Sequence, residues 1–344
     1  MPRADEVQAL GEECPGEFFR VVIESLADSF DPAQSAAYDS LMGAWGLRRK
    51  VATAVVPARV ETVYVFSRVT LGADIKITSM MLDAAKRRFP EARVVFVAGK
   101  KSIELFEADP QLEFLEAAYP RSGPVSSRIA FAHALRERLT APNSIVIDPD
   151  SRMTQLGLIL VSDPDRHFHF SSRTEGTPSD NLSTLTAHWL ERVFGVTGRA
   201  YVAPRAIPLY CERPCAAISL GVGDNESKRV PGDFEARLIR LLGERYRTIY
   251  VDRGAGGEEA RRVTEAVEAS GIAHRVRYWE GSFAGFVSIV SQSDFYVGYD
   301  SAGQHAAAAV GVPFVSVFAG SPSKVFRARW TPAQPPLPFD LQQE

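Results

Sequence analysis

The chain has 344 residues, 45% hydrophobic and 24% charged, an ordinary globular composition that excludes a disordered or fibrous protein and suffices for two cores. Lys and Arg total 39 against 42 Asp and Glu, a net charge of −3, so no general basic field exists to grip nucleic acid. The three cysteines, Cys14, Cys211 and Cys215, cannot all pair, as expected of a reduced, intracellular protein.

The stretch from Met1 to Pro15 carries four acidic residues and no apolar run, so it does not read as a signal peptide and a cytoplasmic location is expected. From Glu17 to Leu47, Phe18, Val22, Leu26, Phe30, Tyr38, Leu41 and Trp45 recur at helical steps, broken at Asp31-Pro32. Two short amphipathic helices are expected there, within a helical extension over residues 1–55. Val63 to Phe66 then reads as a strand, Thr70 to Asp74 as a Gly-containing turn, and the segment with Ile77, Met80, Met81 and Ala84 as a helix. The pattern repeats: strand 93–98, helix 102–108, short strand 114–117, helix 127–139, strand 144–148 and a closing helix 183–194. Strands separated by helices argue a parallel sheet covered on both faces.

Residues 203–214 hold three prolines in twelve positions and read as a connection. A second series follows, with strands at 216–220, 248–251, near 276, at 295–297 and at 314–318, and helices at 234–242, 258–270, 283–291 and 302–310. The segment from Ala306 to Ala319 is the most apolar, but Gly311 and Pro313 interrupt it and it falls short of the roughly 20 residues of a membrane span. The organisation expected is an extension (1–55), two α/β domains (56–205 and 206–325) and a tail (326–344). Two such halves imply a cleft, with chemistry in the loops at the carboxyl ends of the strands.

Two of those loops suit an anion. The first contains Gly221, Gly223 and Lys228: the glycines permit close approach and the lysine supplies a point charge. Its spacing matches neither a Walker loop nor a dinucleotide fingerprint, so a plain turn with a solvated lysine is the alternative. The second runs Asp300-Ser301-Ala302-Gly303-Gln304-His305 into an alanine-rich helix, and offers free N–H groups at the positive end of the helix dipole. Asp300 or Ser301 as a simple cap is the bland reading there, and His305 as a buried hydrogen-bonding residue. Cys211 and Cys215 lack a second pair, and His167-x-His169 alone supplies too few ligands for zinc.

The segment from Asp300 to Pro313 resembles the C-terminal signature of family 9 glycosyltransferases, the bacterial heptosyltransferase family. Leu71-Gly72-Ala73-Asp74-Ile75 with Arg87-Arg88-Phe89-Pro90 resembles its first loop and helix, Asp148 to Leu156 its acceptor-facing turn, and Lys228-Arg229-Val230-Pro231 its diphosphate-binding lysine segment. Three features depart from the common form: Ala73 separates Gly72 from Asp74, the place of the ribose-binding glutamate of adenosine-donor relatives is taken by Asp252 to Gly257 with acids only at Asp252, Glu258 and Glu259, and helices precede the first strand.

The resemblance implies an α/β GT-B fold of two Rossmann-like domains, the first for the acceptor and the second for the nucleotide sugar. It implies inverting transfer of a sugar, a heptose in the namesake enzymes, from a nucleotide-diphosphate donor to a hydroxyl of a glycolipid or small natural product. No metal or other cofactor, no nucleic acid and no integral membrane segment are implied. Asp74 falls on the general base, with a helix cap before Ile75 as the alternative. Gly72, Gly221, Gly223, Lys228, Gly281, Ser282, Asp300, Ser301, Ala302, Gly303 and His305 fall on the donor site. A carboxylate can take the acceptor proton, and a lysine with helix amides can stabilise the leaving diphosphate. An epimerase of the same architecture and a non-catalytic nucleotide-sugar binder are the rival readings; sugar, base, acceptor and oligomeric state are not legible.

Overall fold

The structure is a computed structural model that describes residues 4–27, 30–49, 54–223, 226–254, 256–319 and 324–332. Asp224, Asn225 and Ala255 of the candidate loops, and the tail beyond residue 332, lie outside the described residues. Two compact units form: one from 4–103, 110–200 and 324–331, the other from 104–109, 201–319 and 332. The helical extension and the helix Lys324–Trp330, set apart in the sequence reading, thus belong to the first unit.

The first unit is built on β1 (Thr62–Phe66), β2 (Arg93–Ala98), β3 (Leu112–Glu116), β4 (Ser144–Asp148) and β5 (His167–His169), all parallel, in the order β3-β2-β1-β4-β5. The second holds β6 (Cys215–Ser219), β7 (Thr248–Asp252), β8 (Val276–Trp279), β9 (Phe295–Tyr299) and β10 (Phe314–Val317), also parallel, in the order β10-β9-β6-β7-β8. The two orders are the same when each sheet is counted from its own first strand. Central strands β1, β6 and β9 are buried along their whole length, which is why they read as continuous apolar runs and not as alternations. In each sheet the order reverses beside the first strand, between β1 and β4 and between β6 and β9. Ligands bind at the carboxyl ends of the strands at such switch points.

The helices before β1 share a core with the first unit. Phe18, Phe19, Ile23, Tyr38 and Met42 pack with Val125, Leu156 and Leu158, each large apolar side chain contributing about 1.5–3 kcal/mol. The buried Arg128 lies with its guanidinium 3.7 Å from the centre of the Phe19 ring.

Three expectations change. The turn expected at Thr70 to Asp74 is helical from Leu71, and a wide π-type turn, Asp74–Thr78, leads into the helix Ser79–Arg88. The helix expected over 102–108 is only Lys100–Ile103, because the carbonyl of Leu105 and the N–H of Ala108 bond to Ala203 instead of extending it. Three-residue β5 was visible only as the alternation His167-x-His169, too short to announce a strand.

Candidate functional site

At the switch point of the second unit, the loop after β6 and the turn after β9 come together. Lys228 Nζ donates to the Asp300 carbonyl at 3.0 Å and lies 3.4 Å from its Oδ2; its side chain keeps 30% exposure. Asp300 Oδ1 accepts from the Gln304 amide. Ser301 is the N-cap residue of the helix Ala302–Ala309, and its side chain makes no capping bond. A lysine beside a helix N-terminus is a place for an anion. The glycines follow from packing: a Cβ on Gly298 or Gly303 would collide with the hydroxyl of the buried Tyr296 beneath the turn.

Carboxylates gather beside this loop. Asp252, at the end of β7, accepts from the Gly254 N–H at 3.0 Å and lies 3.4 Å from the Ser219 hydroxyl. Burial, then the neighbouring Glu259, raises its pKa. A Cβ on Gly221 or Gly254 would strike the Glu259 carboxylate, so these glycines make room for it. Gly223 has φ +62 and open space around it. Ser282 caps the helix Phe283–Ser291 through the Gly285 N–H, and Gly281 sits against Trp279.

At the switch point of the first unit, Asp74 is fully buried. Its Oδ2 accepts from the hydroxyls of Ser67 at 2.6 Å and Ser102 at 2.7 Å; its Oδ1 accepts from the Arg68 N–H at 2.7 Å and Thr78 at 3.0 Å. Burial raises its pKa against the opposing pull of these donors. It lies inside the helical segment that starts at Leu71, so it is not a cap before Ile75. The extra residue Ala73 directly precedes the π-type turn Asp74–Thr78, a form that appears mostly as a single-turn bulge within a helix.

Beside it, the ends of β4 and β5 hold a second charged cluster. Asp148 Oδ2 accepts from Thr154 at 2.6 Å and lies 3.4 Å from His167 Nε2 and from His169 Nδ1. Asp150 pairs with Arg173 at 2.6 Å and accepts from Ser172 at 2.8 Å. Burial pushes the Asp150 carboxyl up, but Arg173, His169 and Arg68 outweigh it and hold it below the ordinary value. The Arg68 guanidinium donates to the Pro149 carbonyl at 2.6 Å and to Ser172 at 2.5 Å, while its N–H serves Asp74, so both carboxylate groups belong to one buried network. Among the described residues, no three His, Cys, Asp or Glu side chains are placed to hold a metal.

Residues 187–335 match the model of glycosyltransferase family 9 (heptosyltransferase). The match covers most of the second unit and of the closing helix of the first. No curated protein sequence matches it. Among solved structures, the glycosyl transferase family 9 protein of Veillonella parvula is 15% identical over 80% of this chain and 84% of that one, with a TM-score of 0.60. E. coli heptosyltransferase WaaC with ADP is 17% identical over 78% and 91%, with a TM-score of 0.55. E. coli ADP-heptose lps heptosyltransferase II is 18% identical over 78% and 88%, with a TM-score of 0.53. The shared fold is GT-B, with two parallel five-stranded sheets.

In this chain, Lys228, Asp300, Ser301, Ala302 and Gly303 come together, with His305 buried one turn further along the same helix. Gly72 stands in a helical turn three residues after Val69 and is half-buried. Glu259 was not foreseen beside Gly221, because a helical side chain reaching back across two loops leaves no local pattern. Arg68 was missed for the same reason: its partners lie 81 and 104 residues away in sequence. Among the described residues no helix is long and apolar enough to cross a membrane.

Proposed function

We propose that this chain is a family 9 glycosyltransferase that moves a sugar from a nucleotide-diphosphate donor to an acceptor hydroxyl with inversion and without a metal ion. The observation that carries the reading is Lys228 on Asp300 beside the N-terminus of the helix Ala302–Ala309, whose N-cap residue Ser301 makes no side-chain cap bond, at the switch point of the second sheet. As the anomeric C–O bond breaks, the leaving diphosphate gains negative charge, which the ammonium and the helix amides stabilise from fixed positions. Asp252 and Glu259 offer acceptors for the ribose hydroxyls, the role an acidic residue takes at the end of a neighbouring strand in nucleotide-binding α/β sheets.

Asp74 is the base in this reading. Its Oδ1 is held by a backbone N–H, whereas both partners of Oδ2 are serine hydroxyls. The acceptor hydroxyl takes the place of Ser67 or Ser102 on Oδ2, passes its proton there and attacks the anomeric carbon. Burial, which raises the affinity of Asp74 for a proton, suits that task.

The test is a panel of sugar nucleotides, ADP-heptose first, incubated with acceptor glycosides in EDTA and followed by proton NMR. Acceptor-dependent release of the diphosphate with an inverted anomeric centre supports the reading. Retention, strict dependence on Mg²⁺ or Mn²⁺, or change of the sugar nucleotide without an acceptor contradicts it.

A further inference from the structure

In the second unit the amino ends of β7 and β8, the edge of the sheet opposite to Lys228 and Asp252, enclose a pocket of about 620 Å³, within the roughly 300–1,000 Å³ of small-molecule sites. One wall is the segment 210–212, which is pinned to β7. The Tyr250 hydroxyl donates to the Tyr210 carbonyl at 2.9 Å, and the Thr248 hydroxyl accepts from the Glu212 N–H at 3.0 Å. Arg247 stands just before β7, its N–H on the Pro214 carbonyl at 2.8 Å. Arg275 and Arg277 flank the buried Val276 at the start of β8, so alternation puts both on one side of the strand. The length of β7, five residues or about 16 Å, separates this pocket from the carboxyl ends of the strands.

Two observations point to an anion. The first is unneutralised charge. Elsewhere in this unit Arg213, Arg229, Arg237, Arg253, Arg261 and Arg262 each pair with a carboxylate. Among the described residues, the arginines of the pocket pair with none: Arg275 donates to the Gly243 carbonyl at 2.5 Å, Arg277 to the Val276 carbonyl at 3.2 Å, and the Arg247 guanidinium makes no hydrogen bond. Glu212, the one carboxylate in the wall, bonds to none of them. With His274 neutral, the wall keeps two positive charges in excess, on a chain whose net charge is −3. Like charges held together repel, and an anion between them relieves that repulsion.

The second is convergence. The three guanidiniums come from three places in the chain and line one hollow, where a compact multivalent anion can meet all of them; an extended polyanion such as nucleic acid needs a stripe. Planar guanidinium forks bind phosphate through paired hydrogen bonds, and a phosphate dianion equals the excess charge. Tyr210, an aromatic side chain 82% exposed, lines the same pocket and offers its ring to the organic part of a ligand.

We propose that this pocket binds a ligand through a phosphate dianion, at a site separate from the one proposed for the donor. The inference rests on the arginines at the starts of β7 and β8 and not on the donor reading. A soluble phosphate ester and a phospholipid headgroup share that chemistry, and the test tells them apart.

The experiment titrates inorganic pyrophosphate and glucose 6-phosphate into the whole chain by calorimetry, at an ionic strength held constant with sodium chloride, and floats the chain with phosphatidylcholine vesicles with and without phosphatidic acid. Saturable binding should persist in Lys228→Ala and weaken about tenfold or more in the double variant Arg247→Ala, Arg277→Ala. Arg237→Ala, which removes one charge from the same unit outside the pocket, should leave it unchanged. Binding of the soluble phosphates assigns a free ester, and flotation with phosphatidic acid alone, lost in the double variant, assigns a headgroup; either supports the site. No binding in both arms, loss of all binding in Lys228→Ala, or equal binding by the double variant and Arg237→Ala overturns the proposal.

Discussion

Asp74 shows how far a single side chain can be read. Its position and acidity were legible in the sequence, but four donors on one carboxylate were not, because Ser102 arrives from 28 residues away. Those partners sharpen the test. In Asp74→Asn the amide oxygen can keep the Arg68 N–H and Thr78, and the amide nitrogen can face Ser67 and Ser102, whose hydroxyls can turn to accept. Stability should fall by only about 1 kcal/mol, while turnover drops about 10²- to 10⁴-fold, the usual worth of a positioned base. A thermal melt alongside a rate measurement checks both. Near-normal turnover would remove Asp74 from the chemistry and turn attention to Asp150.

Lys228 carries the other residue-scale prediction. The sequence marked it as a point charge in a glycine-rich loop; the structure sets it against Asp300, so part of its field is already used. Lys228→Ala should weaken diphosphate binding by about 1.5–3 kcal/mol, the range of a charge-assisted hydrogen bond. Calorimetric titration reads this directly, and an unchanged dissociation constant would exclude the residue. Glu259→Gln should weaken the binding of a nucleoside diphosphate but not that of inorganic pyrophosphate, since only the former has ribose hydroxyls.

At the scale of elements, strands and helices were legible wherever the apolar pattern was long: nine of the ten strands follow from apolar runs, and β5 fails for want of length. Helix starts were less legible. Gly72 suggested a loop, yet the chain is helical from Leu71, because Asp74 and Thr78 tie the segment together from inside. The same wide turn buries Lys76, whose Nζ donates to Asn181 at 2.9 Å and to the carbonyl of Thr331 at 3.2 Å, just past the helix Lys324–Trp330. Burial lowers its pKa from 10.5 to about 7. Between these values the unfolded chain holds a proton that the folded chain has released, so stability rises with pH across that window, by at most about 1.4 kcal/mol per unit. Below pH 7 the penalty for the buried charge is fully present. Urea unfolding at pH 7 and pH 9 should show the rise in the native chain and lose that increment in Lys76→Met; an identical rise in both would refute the assignment.

At the scale of the whole molecule, two sheets of the same strand order each gather their charged residues where that order reverses. Composition and apolar pattern suffice to announce parallel sheets, but not strand order, which depends on pairings between distant segments such as β1 with β4 and β6 with β9. Because both sheets share that order, it is Lys228 and the helix Ala302–Ala309 that assign the diphosphate, in the function proposed, to the second unit. Thermal melting with ADP, UDP, GDP and dTDP, each beside its monophosphate and all in EDTA, tests this claim most directly. A ligand at about 100 times its dissociation constant stabilises by roughly 2.7 kcal/mol, so a clear upward shift is expected with one diphosphate, a smaller one with its monophosphate, and no change on adding Mg²⁺. No shift with any diphosphate, or a shift seen only with Mg²⁺, would contradict the account.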